Sequence, residues 1–426
     1  MKVSFYALGC KVNQYEIDCY AKIFRDNGWE IGTFSEKCDA YVINTCAITN
    51  IGERKSRQII RRAKKNNPDS VVAVTGCYAQ TKAEEVKKMT EADIVIGTQN
   101  RAEIEKLVSA FLRGEELGKV SDIMHTRLYE ELECEGAEER TRAYIKIQDG
   151  CDNFCSYCIV PYARGPVRSR AIENIVKEAE RLTRNGFCEV VLTGISVASY
   201  GKDLKDGKTL RDVIEAVCKV DGIERVRLSS ISPNAFDDEF TKFLANEEKV
   251  CRHFHISLQS GSSTVLKRMN RKYAADEYFD TLSRIRALMP DAGITTDIIC
   301  GFPGESDEEF SETMEFVKRA NFLKVHVFPY SERSGTVAAQ MEQIPHSIRE
   351  ERAAKLTALT EEIALEVENS FIGQTHSVLF EQTDGEFAEG LAKNYLRVYV
   401  RGGEELVGKI RDVKIVKREN GKLTGK

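Results

Sequence analysis

The chain reads as an α/β protein in three parts: an N-terminal parallel α/β domain, a partial (β/α)6 barrel, and a small OB-like C-terminal β-barrel. Three observations carry this reading. Short apolar runs alternate with helical patterns over residues 3–112, as in a parallel sheet with right-handed crossovers. A second alternation, of longer units, fills residues 142–329. Beyond Gly373 the apolar period shortens toward two, the period of a half-buried strand. A length of 426 residues, at roughly 150 per domain, also suits about three domains.

In the first part, strands are expected over residues 3–8, 40–43, 71–74 and 93–97, and helices over 14–27, 50–67, 80–89 and 101–112. A cysteine stands just past each of the first three strands: Cys10, Cys46 and Cys77. The carboxyl ends of parallel strands share one edge, where ligands bind. The three thiols are therefore expected to converge into one metal-ligating site. A basic run (Arg54, Lys55, Arg57, Arg61, Arg62, Lys64 and Lys65) crowds the second helix, starting a few residues after Cys46. It reads either as a phosphate-facing surface or as a solvated helix face.

A polar, Glu-rich passage over residues 129–140 reads as a linker. Six strands follow, over residues 143–147, 189–192, 225–229, 253–258, 295–301 and 323–329. Helices at 171–184, 210–220, 235–244, 274–289 and 307–320 fill the gaps. Repeats of this length suit a partial barrel. Directly after its first strand comes Cys151-Asp152-Asn153-Phe154-Cys155-Ser156-Tyr157-Cys158, a C-x3-C-x2-C loop on what would be the barrel's functional face. Three thiolates on one short loop can wrap a four-iron cluster and leave one iron open. Structural zinc would want a fourth Cys or His close by, and the nearest histidine is His125.

The chain has 13 cysteines, an odd number, and no export signal is expected, so a disulfide framework is not expected either. Cys19, Cys188, Cys218 and Cys251 lie in or beside apolar stretches and read as core or surface residues. A long charge-rich helix over 347–371 leads out of the barrel to strands at 378–380, 396–400 and 409–417. The last strand and tail are locally basic: Lys409, Arg411, Lys414, Lys417, Arg418, Lys422 and Lys426 face only Asp412 and Glu419. A small β-barrel with a basic strand suits RNA, and a charged edge strand that resists aggregation is the competing reading.

With 42% hydrophobic and 30% charged residues the composition is that of a soluble globular protein. The net charge of −5 makes no global case for nucleic acid, so RNA contact would come from local basic patches. No apolar run approaches the ~18 residues of a membrane span. The Leu8-Gly9-Cys10 near the start follows too short an apolar stretch for a signal peptide. A cytoplasmic location with no membrane partner is expected.

The cysteine loop, with Tyr157 before its third cysteine, resembles the radical S-adenosylmethionine superfamily. With the three dispersed N-terminal cysteines and the C-terminal β-barrel, the whole chain resembles the methylthiotransferases. These are built from an N-terminal cluster domain, a radical barrel and a TRAM RNA-binding domain. The resemblance implies domains at 1–128, 142–371 and 372–426, with a linker at 129–141. The opening Leu8-Gly9-Cys10-Lys11-Val12-Asn13-Gln14-Tyr15-Glu16 is most similar to the branch acting on threonylcarbamoyladenosine in tRNA. Leu192-Thr193-Gly194, Leu228-Ser229-Ser230, Leu258-Gln259-Ser260-Gly261 and Ile299-Cys300-Gly301-Phe302-Pro303-Gly304-Glu305 agree with the family.

That resemblance implies two [4Fe-4S] clusters, on Cys10/Cys46/Cys77 and on Cys151/Cys155/Cys158, with S-adenosylmethionine on the open iron of the second. Tyr157, Gly194, Ser230, Gln259 and Gly301 are the expected cofactor contacts, the two glycines because they permit close backbone approach. No catalytic side chain beyond the cluster ligands is expected. The implied reaction is methylthiolation of C2 of the modified adenosine at position 37, in the anticodon stem-loop of tRNA. Its electrons would come from a reducing donor such as a flavodoxin or ferredoxin. Isopentenyladenosine in tRNA and a ribosomal-protein aspartate are the alternative substrates. A non-catalytic iron–sulfur RNA-binding protein and a zinc-binding RNA module are the alternatives of another class.

Overall fold

The computed structural model describes residues 1–115, 120–136 and 140–426. The first unit runs β1 (Lys2–Ala7), α1 (Lys11–Asp26), β2 (Glu30–Gly32), β3 (Ala40–Thr45) and α2 (Asn50–Asn66). It continues through β4 (Val71–Gly76), α3 (Cys77–Thr81), α4 (Ala83–Lys87), β5 (Ile94–Val95) and α5 (Ile104–Leu112). All five strands are parallel, in the order β2-β1-β3-β4-β5. β3 and β4 are buried at every position, which is why they read as unbroken apolar runs. One core, with Tyr15, Tyr20, Phe24 and Trp29, covers one sheet face; Tyr41, Ile60, Val72 and Val74 belong to the other.

Two local features of this first unit differ from the sequence expectation. β2 is a three-residue edge strand whose first residues are exposed, so it carries no apolar pattern to read. The single helix expected over 80–89 is instead two short helices. The first starts at Cys77 itself, and Lys82, at φ −130° and ψ 37°, breaks it from the second.

The second unit opens with β6 (Arg142–Asp149), α6 (Val160–Arg164), β7 (Arg168–Ser169), α7 (Ile172–Arg184), β8 (Glu189–Gly194) and α8 (Leu210–Cys218). It goes on through β9 (Arg225–Leu228), α9 (Asp238–Asn246), β10 (His253–His255), α10 (Ser263–Arg268) and α11 (Ala275–Leu288). β11 (Gly293–Cys300), α12 (Asp307–Ala320), β12 (Lys324–Pro329) and the exit helix α13 (His346–Asn369) complete it. β6, β8 and β9 pair in parallel, as do β10, β11 and β12. Bridges Val226–Val250 and Ile231–Ile256 join the two sets into one open arc of six parallel strands, with β7 antiparallel at the end of β6. This is the partial (β/α)6 barrel expected from the repeats.

Along each barrel strand one set of alternate residues packs outward on the helices, among them Ile145, Leu192, Leu228, Phe254 and Ile298. The other set, including Arg142, Lys146, Glu189, Arg227, His255 and Asp297, points inward by the two-residue period of a strand. A closed eight-stranded barrel fills its interior with branched apolar side chains. Here the interior is polar, so the lumen is a site and not a core.

The third unit is a closed five-stranded barrel of β13 (Thr375–Thr383), β14 (Phe387–Ala392), β15 (Arg397–Arg401), β16 (Ile410–Glu419) and β17 (Lys422–Gly425). Val378, Phe380, Val398, Val413, Ile415 and Leu423 fill it. Its β14–β15 turn closes the base of the larger barrel. Tyr395 stacks on His253 with ring centroids 4.1 Å apart, and Arg227 lies 5.3 Å from the same ring. Arg225 donates to the Leu391 carbonyl at 3.2 Å and Arg227 to that of Lys393 at 3.1 Å.

The described part of the Glu-rich passage, residues 129–136, has no helix or strand and is pinned by its side chains. Leu132 and Cys134 enter the first unit's core, Glu130 pairs with Arg101, and Tyr129 Oη donates to the Lys146 carbonyl at 2.9 Å.

Candidate metal centres

β1, β3 and β4 are neighbours, so Cys10, Cys46 and Cys77 emerge side by side at one sheet edge. Side chains then lock the three loops together. Asn13 Nδ2 donates to the Leu8 carbonyl at 2.7 Å and the Thr45 carbonyl at 3.0 Å, tying the Cys10 turn to the Cys46 turn. Thr45 Oγ1 donates to the Thr75 carbonyl at 2.6 Å and accepts from Ala79 N at 3.2 Å, tying in the start of α3. Gly9 has φ +92°, and a Cβ there would lie 2.8 Å from Cys46 Sγ, so only glycine fits. Burial pushes the Cys46 thiol up to about 12, with Cys77 and Cys10 near enough to add to the shift. Burial also raises Cys77, against the pull of Arg164.

Arg164 ends α6, the helix that follows the barrel's cysteine loop. Its Nε donates to Cys77 Sγ at 3.3 Å and its Nη2 to Asn13 Oδ1 at 2.6 Å, while Nη1 binds Glu16 Oε1. Glu16 also takes Lys146 Nζ at 3.0 Å and Asn44 Nδ2 at 2.9 Å, and it binds Arg101. Asp149 takes Lys146 Nζ at 2.6 Å and lies 3.5 Å from Arg168. Glu16 and Asp149 are both held well below the usual carboxylate range, because the surrounding cations outweigh the cost of their burial. Four cations (Arg101, Lys146, Arg164 and Arg168) face three carboxylates (Glu16, Asp149 and Glu130), leaving one positive charge in excess beside Cys77.

The second set lies on the loop after β6. Ser156 anchors the loop, with N on the Met269 carbonyl at 3.0 Å and Oγ on the Arg268 carbonyl at 2.8 Å. Arg271, in the same facing segment, donates from Nη1 to Cys155 Sγ at 3.3 Å and from Nε to Tyr273 Oη at 2.8 Å. Burial raises Cys151 and pushes Cys158 up to about 12, with the neighbouring thiols of the loop acting in the same direction. All 13 cysteines are free. Each site thus offers three clustered thiols, which release their protons when a metal binds. Each also aims one guanidinium at a sulfur that metal binding would make anionic. A sulfur-rich iron cluster fits both donor sets.

The expected cofactor residues stand at, or in the loops after, the carboxyl ends of barrel strands, with different local reasons. Tyr157 packs edge-on to Phe302, with centroids 6.4 Å apart. A Cβ at Gly194 would sit 3.0 Å from the Gln148 carbonyl. Ser230 Oγ lies 2.9 Å from Ser257 Oγ. Gln259 holds φ +75°, strained for a non-glycine residue, and its side-chain amide makes no hydrogen bond among the described residues. Gly301 departs from its expected rationale. A Cβ there would meet Arg349 Cγ of α13 at 2.6 Å, so a protein neighbour and φ +68° require the glycine. A cavity of about 240 Å³ beside Cys155 is lined by Asn153, Ser196, Ser232, Asn234, Arg271 and Tyr273.

Sequence reasoning missed the roles of Arg164, Arg271 and Glu16. Their partners are distant in the chain, so only a charge inside an otherwise apolar pattern could have marked them. The basic runs divide. Arg57, Arg61 and Lys64 are paired with Glu85, Glu91 and Asp93, and Lys417 and Arg418 with Glu419 and Glu368. Lys409, Arg411 and Lys414 are exposed and have no ion-pair partner among the described residues.

Two family models match the chain: the Radical SAM superfamily over residues 145–317, and the Uncharacterized protein family UPF0004 over residues 2–97. The threonylcarbamoyladenosine tRNA methylthiotransferase MtaB of Bacillus subtilis is 43% identical over 97% of this chain and 94% of its own length. The enzyme of that name from Aquifex aeolicus is 39% identical over 96% of this chain and 99% of its own. The tRNA-2-methylthio-N(6)-dimethylallyladenosine synthase of Natranaerobius thermophilus is 35% identical over 99% and 96%. Among solved structures, the radical S-adenosylmethionine methyltransferase TsrM of Kitasatospora setae superposes with a TM-score of 0.56 at 16% identity. It covers 79% of this chain and 75% of that one, a likeness of fold alone.

Proposed function

The chain belongs to the radical S-adenosylmethionine methylthiotransferases that modify tRNA, and on that footing we propose that it methylthiolates C2 of threonylcarbamoyladenosine at position 37. The observation that carries the choice of substrate is the near full-length identity of 43% to an enzyme of that specificity, against 35% to the dimethylallyladenosine enzyme quoted above. The family uses S-adenosylmethionine and [4Fe-4S] clusters. We assign one cluster to Cys10, Cys46 and Cys77 and the other to Cys151, Cys155 and Cys158, each leaving an iron open. The corresponding division of the chain is 1–128 for the cluster domain, 129–141 for the connection, 142–371 for the radical barrel and 372–426 for the RNA-binding barrel.

When bound, these groups would supply a 5′-deoxyadenosyl radical and a sulfur donor. The chain's own residues dock the unit that carries one cysteine set onto the unit that carries the other. α1 packs against β6 and β8, so Cys10 and Lys11 at its start stand over the lumen. Glu16 and Asp149 hold the two units in one register through the cations they share. Tyr157, Gly194, Ser230, Gln259 and Gly301 are proposed to line the S-adenosylmethionine site, with the free amide of Gln259 as its hydrogen-bonding group. Lys409, Arg411 and Lys414 are proposed to hold tRNA phosphates, with a low-potential donor of the flavodoxin or ferredoxin kind as the electron source. No helix among the described residues is long and apolar enough to cross a membrane. A tRNA substrate supports a cytoplasmic location.

Mass spectrometry of tRNA nucleosides from cells with and without the protein tests this reading. The 2-methylthio derivative of threonylcarbamoyladenosine should disappear with the protein. Loss of the methylthio derivative of the dimethylallyl nucleoside instead would overturn the substrate.

A further inference from the structure

The inner wall of the partial barrel carries a group of side chains that the two cysteine sites leave unused. On β10, β11 and β12 the outward positions are taken by Phe254, Ile256, Ile294, Ile298, Val325 and Val327, packed on the helices. The alternate positions face the lumen. His255, Asp297 and His326 therefore stand on three neighbouring strands, with Asp297 directly across from His326. One ring nitrogen from each histidine and a carboxylate oxygen lie within 4.8 Å of one another.

The hydrogen bonds around them fix their roles. His255 Nε2 lies 3.2 Å from Asp297 Oδ2, and Thr295 Oγ1 is 3.0 Å from both His255 Nδ1 and His253 Nε2. If His255 donates from Nε2 to Asp297, its Nδ1 accepts from the Thr295 hydroxyl, whose oxygen accepts from His253 Nε2–H. His253 Nδ1 then carries no proton, and it is the ring nitrogen that is buried without a partner. The wall is thus orientated from behind. Its front presents His326 and Lys324, on the exposed inner face of β12, with no hydrogen bond from either side chain among the described residues. Lys11, next to Cys10, is buried with Arg142 and Arg227 as its nearest charged neighbours and Asp297 after them, and its side chain likewise has no hydrogen-bond partner among the described residues.

Two ammonium groups and one unengaged imidazole, that of His326, beside a single carboxylate already held by His255 make a pocket wall with spare donors and surplus positive charge. A dimethylallyl group against it would strand those donors in a desolvated contact. A substituent with its own carboxylate and hydroxyl would satisfy them. We propose that His326, Lys324 and Lys11 take the carboxylate, and Asp297, held in place by His255, the hydroxyl, of the threonylcarbamoyl group on the substrate adenine. This subsite rests on the substrate reading above and adds the residues that impose it.

The test is equilibrium binding of the anaerobic, cluster-loaded full-length protein to three synthetic anticodon stem-loops. These carry threonylcarbamoyladenosine, dimethylallyladenosine or plain adenosine at the target position. The wild type should prefer the first by about tenfold or more, the worth of one or two charge-assisted hydrogen bonds. His326→Leu and Lys324→Met should each pull that ratio toward one, and the double variant should abolish it. His326→Gln, which keeps a donor, should retain part of the preference. Both residues lie on an edge strand, and circular dichroism would confirm that the variants fold.

Unchanged preference in the double variant overturns the subsite, even if the wild type methylthiolates the threonylcarbamoyl loop. A wild type that instead prefers and modifies the dimethylallyl loop overturns the substrate reading itself. A stoichiometric metal other than iron in the wild type, lost in His326→Leu, would overturn the subsite in favour of a metal site on the same residues.

Discussion

Arg164 Nε lies 3.3 Å from Cys77 Sγ, so a guanidinium that starts behind the barrel's cysteine loop ends on a thiol of the other cysteine site. The same side chain binds Glu16 and Asn13, both on α1. The two proposed clusters are thus mechanically joined, through a buried network that crosses from one unit to the next.

Arg164→Met should leave Glu16 and Asp149 short of a cation inside the protein. Breaking a buried ion pair from one side costs about 3–5 kcal/mol. Anaerobic urea denaturation should show a loss of that order, with iron depleted chiefly from the N-terminal site. Arg164→Lys keeps the charge but cannot reach Cys77, Asn13 and Glu16 together, so it should fall between. Wild-type stability and iron content in Arg164→Met would show the network to be incidental.

Cys46→Ala is the cleaner way to separate the two cysteine sets, because Cys46 takes no hydrogen bond from Arg164 whereas Cys77 does. Iron should fall from about eight to about four atoms per chain. The variant should still turn S-adenosylmethionine into 5′-deoxyadenosine under reduction while forming no methylthio nucleoside. Product at the wild-type level would remove the donor assignment. Cys151→Ala should instead abolish the cleavage.

Glu16 and Asp149 titrate below their unfolded values of roughly 4, so their contribution to stability is present above that pH and is lost as pH falls through the folded values. The stability advantage of wild type over Glu16→Gln should therefore be full at pH 6–7 and shrink below about pH 4.5. Denaturation series for both proteins across that window would check the sign. An advantage that grows on acidification would contradict it.

Charge reversal at Lys409, Arg411 and Lys414 should weaken tRNA binding. It should flatten the slope of log affinity against log salt by roughly 2 units, if each lysine or arginine neutralises one phosphate. An unchanged slope would make this strand a solvated edge. Deleting residues 373–426 is the poorer experiment. It strips Tyr395 from His253 and uncovers Arg225, Arg227 and Glu189 at the barrel base, so it should destabilise the barrel as well as weaken binding.

Much of the fold was legible because its elements declare themselves locally. β3 and β4 are buried along their whole length and show as unbroken apolar runs, and α12 begins at the Ser306 capping box that its sequence contains. Expected strands at residues 143–147 and 189–192 lie within β6 and β8. β2 escaped because an exposed three-residue edge has no pattern, and the break at Lys82 escaped because helical periodicity runs on across it. The C-terminal unit read as an independent module. Nothing in its own sequence says that Tyr395 will stack on a histidine more than a hundred residues earlier.

The sequence by itself determined the three-part order, the three strand-end cysteines and the cysteine loop, because each depends on short-range periodicity or spacing. Only the tertiary structure decided that the barrel is polar inside and that the C-terminal turn closes its base. It alone placed Arg164 on Cys77 and brought His255, Asp297 and His326 together. These are relations between side chains on different strands, set by sheet register and domain docking. Such relations are energetic outcomes of burying the apolar faces, and no local stretch of sequence encodes which charges the burial will bring together.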